Sequence, residues 1–223
     1  MATKFPGNEI TIEHDRVTLA SFLHIPAAPR GLVIFAHGSG SSRHSSRNQF
    51  VARQLADAAL ATLLLDLLTP SEDAIDQRTA EFRFDIPMLA ERLMMATDWA
   101  QQDEATKNFP IGYFGASTGA AAALIAAARR PKFARAVVSR GGRPDLAGDF
   151  LREVRAPVLL IVGSNDEQVL QLNRLAATQL AGAYEILIIP NATHLFEEPG
   201  TLEQAAIAAR EWFLTYLGKA RSL

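Results

Sequence analysis

A chain of 223 residues, 48% of them apolar, with a formal charge of −2, has the size and core-forming material of one α/β domain. Its charges are mixed along the chain and leave no basic footprint for nucleic acid. It contains no cysteine, which excludes disulfides, thiolate metal sites and a cysteine nucleophile.

The opening MATKFPGNEITIEH lacks the apolar core of a secretory signal, and no apolar run approaches the roughly 18 residues of a membrane span. These features predict a soluble, cytoplasmic protein with neither a membrane nor a nucleic-acid partner. Residues 1–223 read as one domain without repeats or low-complexity linkers, and no feature specifies an oligomeric state. EITIEH (Glu9–His14) and VTLASFLHI (Val17–Ile25) predict two strands joined by a turn. GLVIFAHG (Gly31–Gly38) is a short continuous apolar run, the pattern of a strand covered on both faces. Phe50, Val51, Leu55 and Ala58 recur at helical spacing, and ATLLLDLL (Ala61–Leu68) predicts the next strand. The connection TPSEDAIDQRTAEFRF separates it from a helix marked by Ile86, Leu89, Leu93 and Ala100, with Asp85 as N-cap.

FPIGYFGAS is a strand and TGAAAALIAAARR a helix with two arginines in its last turn. ARAVVSRGG is a strand, followed by a short helix or loop, PDLAGDFLREV. PVLLIVG (Pro157–Gly163) is a strand, Leu170–Leu180 a helix and EILIIP (Glu185–Pro190) the last strand. Leu202, Ala206, Ala209, Phe213 and Leu217 share one face of a final helix. Such alternation predicts a mostly parallel sheet with helices on both faces. Ligands of such sheets sit beyond the carboxyl ends of the strands.

Gly115-Ala116-Ser117-Thr118-Gly119 matches G-x-S-x-G. It follows a predicted strand and opens a helix, the setting of a nucleophile elbow. Small residues relieve the crowding of so sharp a turn, and the helix N-terminus favours developing negative charge near Ser117. A capped glycine-rich turn is the plainer reading; a phosphate loop would need a lysine that the pattern lacks. A serine hydroxyl needs a base. Of five histidines, His14 and His24 lie in the leading strands, and His37 and His44 flank the first strand of the alternating part. His194, in PNATHLF after the last strand, is the candidate base, and His37 reads as a hydrogen-bonder that shapes its loop. Asp166, just after a strand in LLIVGSNDEQV, is the candidate acid, with Glu167 and Asp145 as alternatives; the plainer reading is a capping carboxylate. The oxyanion donors fall to the N–H groups of Thr118 and Ser39, with Gly40 as an alternative to Ser39.

These segments, FAHGSGSSRHS, GYFGASTGAAAAL, LLIVGSND and PNATHLF in that order, resemble the α/β-hydrolase superfamily and its small dienelactone-hydrolase-like branch. They also look like hydrolase modules that some bacteria fuse to phosphoribosyltransferase-like domains, and the hydrolase is expected here on its own. The resemblance implies an eight-stranded sheet, a serine/aspartate/histidine triad, and neither cofactor nor metal. Dienelactone hydrolases proper use a cysteine, so their particular substrate does not carry over. No long insertion follows ARAVVSRGG, where many relatives place a helical lid, which favours small or short-chain substrates.

Arg43, His44 and Arg47, then Arg78 and Arg83, then Arg140 and Arg143 follow three strand ends. The sharper reading gives Arg43, His44 and Arg140 an anionic substrate group; the plainer one pairs the arginines with carboxylates such as Asp145 and Asp85. The expected function is cleavage of a small-molecule carboxylic ester or lactone through an acyl-enzyme. Acyl transfer to an alcohol or peroxide, cleavage of a small amide or peptide, and a catalytically idle binding module are the alternatives. Haloalkane dehalogenases and epoxide hydrolases need a carboxylate where Ser117 stands.

Overall fold

Two leading strands and six alternating ones build a single eight-stranded sheet in the computed structural model, which describes residues 5–218. The first four residues of the stretch read for a leader lie outside it. The strands are β1 (Asn8–His14), β2 (Val17–His24), β3 (Leu32–Ala36), β4 (Ala61–Leu65), β5 (Ile111–Ala116), β6 (Ala134–Arg140), β7 (Val158–Gly163) and β8 (Tyr184–Ile189). Their order is β1-β2-β4-β3-β5-β6-β7-β8. β1 and β2 pair antiparallel, as do β2 and β4; every later pair is parallel. This is the α/β-hydrolase fold, without a large lid insertion.

The helices are α1 (Ser46–Ala56), α2 (Pro70–Thr79), α3 (Ile86–Gln102), α4 (Thr118–Arg129), α5 (Glu167–Ala177) and α6 (Thr201–Leu217). Side chains alternate across the pleat, so each inner strand feeds two cores. Ile34, Leu63, Tyr113 and Val137 pack under α3 and α4. Val33, Phe35, Leu64, Phe114 and Val138 pack under α1 and α6. β3, β4 and β5 are therefore buried throughout, which explains their unbroken apolar runs. Among the described residues no helix is long and apolar enough to cross a membrane.

Three elements differ from the sequence expectation. Ala58 lies just beyond α1, which ends at Ala56. α5 starts at Glu167, three residues before the first helical apolar position read from the pattern. The connection after β4 contains α2, where the sequence reading assigns no element. Thr69 caps α2 by accepting the Glu72 N–H, while the Glu72 carboxylate accepts the Thr69 N–H. This capping box, with Pro70 in the first turn, was readable in TPSE. Apolar periodicity was not, because α2 buries only Asp76.

β3 sits between β4 and β5, so the chain leaves it on one side and returns on the other. Loops at such a switch point diverge and open a crevice at the carboxyl ends of the strands. Ala36 is in register with Gly115, Ala116 with Arg140, and Gly163 with Ile189. The loops that follow β3, β5, β7 and β8 consequently emerge at one end of the sheet.

Candidate active site

Ser117 stands between β5 and α4 with φ 51° and ψ −123°, a backbone conformation that a residue bearing a side chain seldom adopts. Two glycines make the turn possible. A Cβ on Gly115 would overlap the backbone of Ala120, and one on Gly119 would overlap the carbonyl oxygens of Ala36 and His37. The first lets the chain double back; the second lets α4 begin directly against the end of β3. The buried alanine run from Ala120 to Ala123 keeps the helix close behind the strand. Ser117 is the N-cap of α4 but makes no capping bond through its side chain, so its hydroxyl faces outward.

The Ser117 Oγ lies 3.3 Å from Nε2 of His194, whose Nδ1 lies 2.6 Å from Oδ2 of Asp166. Asp166 occupies the N-cap position of α5 without a side-chain capping bond, and its carboxylate is directed to the imidazole instead. The His194 side chain is 38% exposed and that of Asp166 14%. The other two carboxylates considered lie elsewhere. Asp145 holds Arg143 by two hydrogen bonds of 2.9 and 2.7 Å, and Glu167 is exposed.

Two loops are zipped together to bring the acid to the base. The Asn165 N–H donates to the Ala192 carbonyl (3.0 Å) and the Asn191 N–H to the Ser164 hydroxyl (2.8 Å). Glu198 accepts from the N–H (3.1 Å) and the hydroxyl (2.6 Å) of Thr193, one residue before His194. These two donors hold its carboxyl below the usual carboxylate range. Phe196, at φ 56°, buries its ring in the second core and anchors the other side of the loop. The sequence carried no signal for Glu198, since its partner is set by loop geometry.

The loop after β3 is shaped by His37. Its Nε2 accepts the Leu67 N–H (3.0 Å), so Nδ1 carries the proton and donates to the Gly38 carbonyl (2.9 Å). The ring is thus a neutral imidazole that links the ends of β3 and β4. Burial pushes its pKa below the ordinary value, against the pull of the Gly38 carbonyl and of Asp66. Unfolded, the imidazole titrates near 6.5. Below that pH the unfolded chain gains a proton that the native ring resists, so stability is full above about 6.5 and falls as the pH drops towards the folded value. We expect the unfolding free energy from urea titration to fall between pH 7.5 and 5.5, by up to about 1.4 kcal/mol per pH unit from this group. The fall should shrink in His37→Gln; an identical pH dependence in both proteins would exclude His37 as the cause.

Ser39 and Thr118 line a cleft together with His37, Leu67, Leu68 and Leu89. Their hydroxyls are 3.1 Å apart. Among the described residues neither the Ser39 nor the Thr118 N–H donates to a backbone acceptor. Asp76, 1% exposed, and Arg83 line it as well. Burial alone would raise the Asp76 pKa, but the N–H groups of Arg83 and Phe82 and the Arg83 guanidinium outweigh it and hold the carboxyl low.

Arg43, His44 and Arg140 each have partners within the protein. Arg43 pairs with Asp66 and Glu9 and lies over the Phe22 ring. His44 meets the edge of the same ring. Arg140, 6% exposed, donates to the Asn48 carboxamide oxygen at 3.3 Å and lies over Phe196. Burial and the nearby Arg47 push its pKa down to about 10. Arg47 pairs with Glu197, and Arg83 with Asp76. Asp85 caps α3 through the Met88 N–H instead of pairing with an arginine. Among the described residues no three acidic or histidine side chains cluster as metal ligands. An imidazole set between a carboxylate and a hydroxyl can take the hydroxyl proton and return it to a leaving group.

The sequence profile of the dienelactone hydrolase family matches residues 19–218. A crystal structure of a dienelactone hydrolase from Anabaena variabilis shares 53% identity at a TM-score of 0.93, covering 94% of this chain and 97% of that one. A protein of Mycobacterium tuberculosis (strain H37Rv) that bears the name phosphoribosyl transferase is 54% identical over 209 residues. That match takes in 94% of this chain but 46% of the relative, so the chain spans about half the length of the curated relative. A lidless serine hydrolase from Xanthomonas campestris has the same fold at 20% identity and a TM-score of 0.76, with 98% of each chain covered.

Proposed function

The chain belongs to the dienelactone hydrolase family, and on that footing we propose that it cleaves small carboxylic esters or lactones through an acyl-enzyme on Ser117. The observation that carries this reading is the unbroken hydrogen-bonded line from Asp166 through His194 to Ser117. Ser117 attacks the carbonyl as its proton passes to Nε2 of His194. Asp166 keeps Nδ1 protonated, so that Nε2 is free to accept, and stabilises the imidazolium that forms. The N–H groups of Ser39 and Thr118 receive the charge on the tetrahedral oxygen. His194 then protonates the leaving alcohol. Water deacylates the enzyme by the same steps in reverse order. With no large lid over the cleft, short acyl groups suit it best.

A fluorophosphonate probe and p-nitrophenyl acetate together test the reading. One equivalent of label per chain, and a burst of about one p-nitrophenolate per chain before the steady state, are expected. Addition of an alcohol or of hydrogen peroxide separates hydrolysis from acyl transfer, since a transferase diverts the acyl group to the acceptor. Absence of both label and burst would leave an idle binding module as the better reading.

A further inference from the structure

Resting on that ester-hydrolase reading, we propose that the side-chain hydroxyl of Ser39 is a third donor to the oxyanion, oriented by the hydroxyl of Thr118. The two oxygens are 3.1 Å apart and bridge loops separated by 79 residues. Among the described residues neither hydroxyl has another side-chain or backbone partner. Two hydroxyls that share one hydrogen bond use one hydrogen and leave the other free. Exposure decides which is left over. Thr118 is 4% exposed in the first turn of α4, whereas Ser39 is exposed and lines the cleft. Thr118 therefore donates to the Ser39 oxygen, and the Ser39 hydrogen points to a bound ligand.

The backbone sets this hydrogen beside the reacting atoms. Gly38, the neighbour of Ser39, packs so tightly on the nucleophile that a Cβ there would lie 3.0 Å from the Ser117 Cβ. His37 holds the same loop from behind. Both residues of the hydroxyl pair are also the two backbone donors, so their bond fixes the spacing of the oxyanion site as well as adding to it. Ser39 is on this view a catalytic residue through its side chain. The Thr118 hydroxyl is a positioning group.

Steady-state kinetics with p-nitrophenyl acetate and the inhibition constant of a trifluoromethyl ketone, whose adduct carries an oxyanion, provide the test. Ser39→Ala should lower kcat about 10²-fold, with KM changed less than about threefold, and weaken the ketone by a similar factor. Thr118→Val should cost about tenfold in kcat, and Thr118→Ser should recover most of that loss. In the Ser39→Ala background Thr118→Val should cost nothing further, because the bond it would break is gone. In Ser39→Ala fluorophosphonate labelling should still reach one equivalent per chain, at a lower rate, and the melting temperature should stay at the wild-type value. Wild-type kcat in a fully labelled Ser39→Ala protein would overturn the proposal and leave the esterase reading intact. So would a loss that tracks a lower melting temperature, or losses at the two positions that simply multiply. A wild-type protein without a Ser117-dependent burst would sink the esterase reading, and the proposal with it.

Discussion

Ser117→Ala is expected to abolish the burst with p-nitrophenyl acetate and to lower kcat by roughly 10⁴–10⁶-fold, by analogy with subtilisin, where loss of the serine removes almost the whole contribution of the triad. The substitution deletes one oxygen whose hydrogen-bond partner is His194. It leaves the strained turn as it was, because alanine meets φ 51° with the same Cβ as serine. The melting temperature should therefore hardly move, and the loss reads as chemistry. Residual hydrolysis would come from the oxyanion donors and substrate binding alone. A variant that keeps more than about a hundredth of the wild-type kcat would show that the main nucleophile is elsewhere.

Asp166→Asn should cost about 10⁴-fold in kcat and slow fluorophosphonate labelling with it while leaving the fold in place, as Asp→Asn does in the serine-protease triad. The reason is the tautomer. An asparagine amide can offer N–H to Nδ1 at the 2.6 Å position now held by a carboxylate oxygen. The proton then moves to Nε2, which faces Ser117 and can no longer accept. Two comparison variants sharpen the result. Asp145→Asn breaks the pair with Arg143 and should change kcat by less than a few fold, and Glu167→Gln should do the same from its exposed position. An Asp166→Asn protein with near wild-type turnover would return one of those two carboxylates to consideration.

Much of this was legible before any coordinates. The unbroken apolar runs of β3, β4 and β5 announce strands covered on both sides, and the sheet covers them so. The G-x-S-x-G turn has a local cause at Gly115, whose crowding by Ala120 belongs to the turn itself, whereas Gly119 is crowded by Ala36 and His37 at the end of β3. α2 was equally open to reading through its capping box and was missed, because a helix that buries only Asp76 leaves no periodic apolar trace. The arginines were legible in part: Arg143 pairs with Asp145, as the plainer reading had it, but Arg43 pairs with Asp66 and Glu9, and Arg140, at the end of β6, lies buried against Asn48 and Phe196.

By itself, then, the sequence determined the order of strands and helices, the sharp turn at Ser117 and the ends of the strands from which Asp166 and His194 emerge. These follow from burial periodicity and backbone torsions, which act over a few residues. Only the tertiary structure decided that Asp166, and not Asp145 or Glu167, meets the imidazole, and that the Ser39 and Thr118 hydroxyls find each other. Those partners lie 28 and 79 residues apart. Their meeting depends on sheet order, strand register and on which neighbouring charge takes a side chain first, and no local pattern encodes that competition.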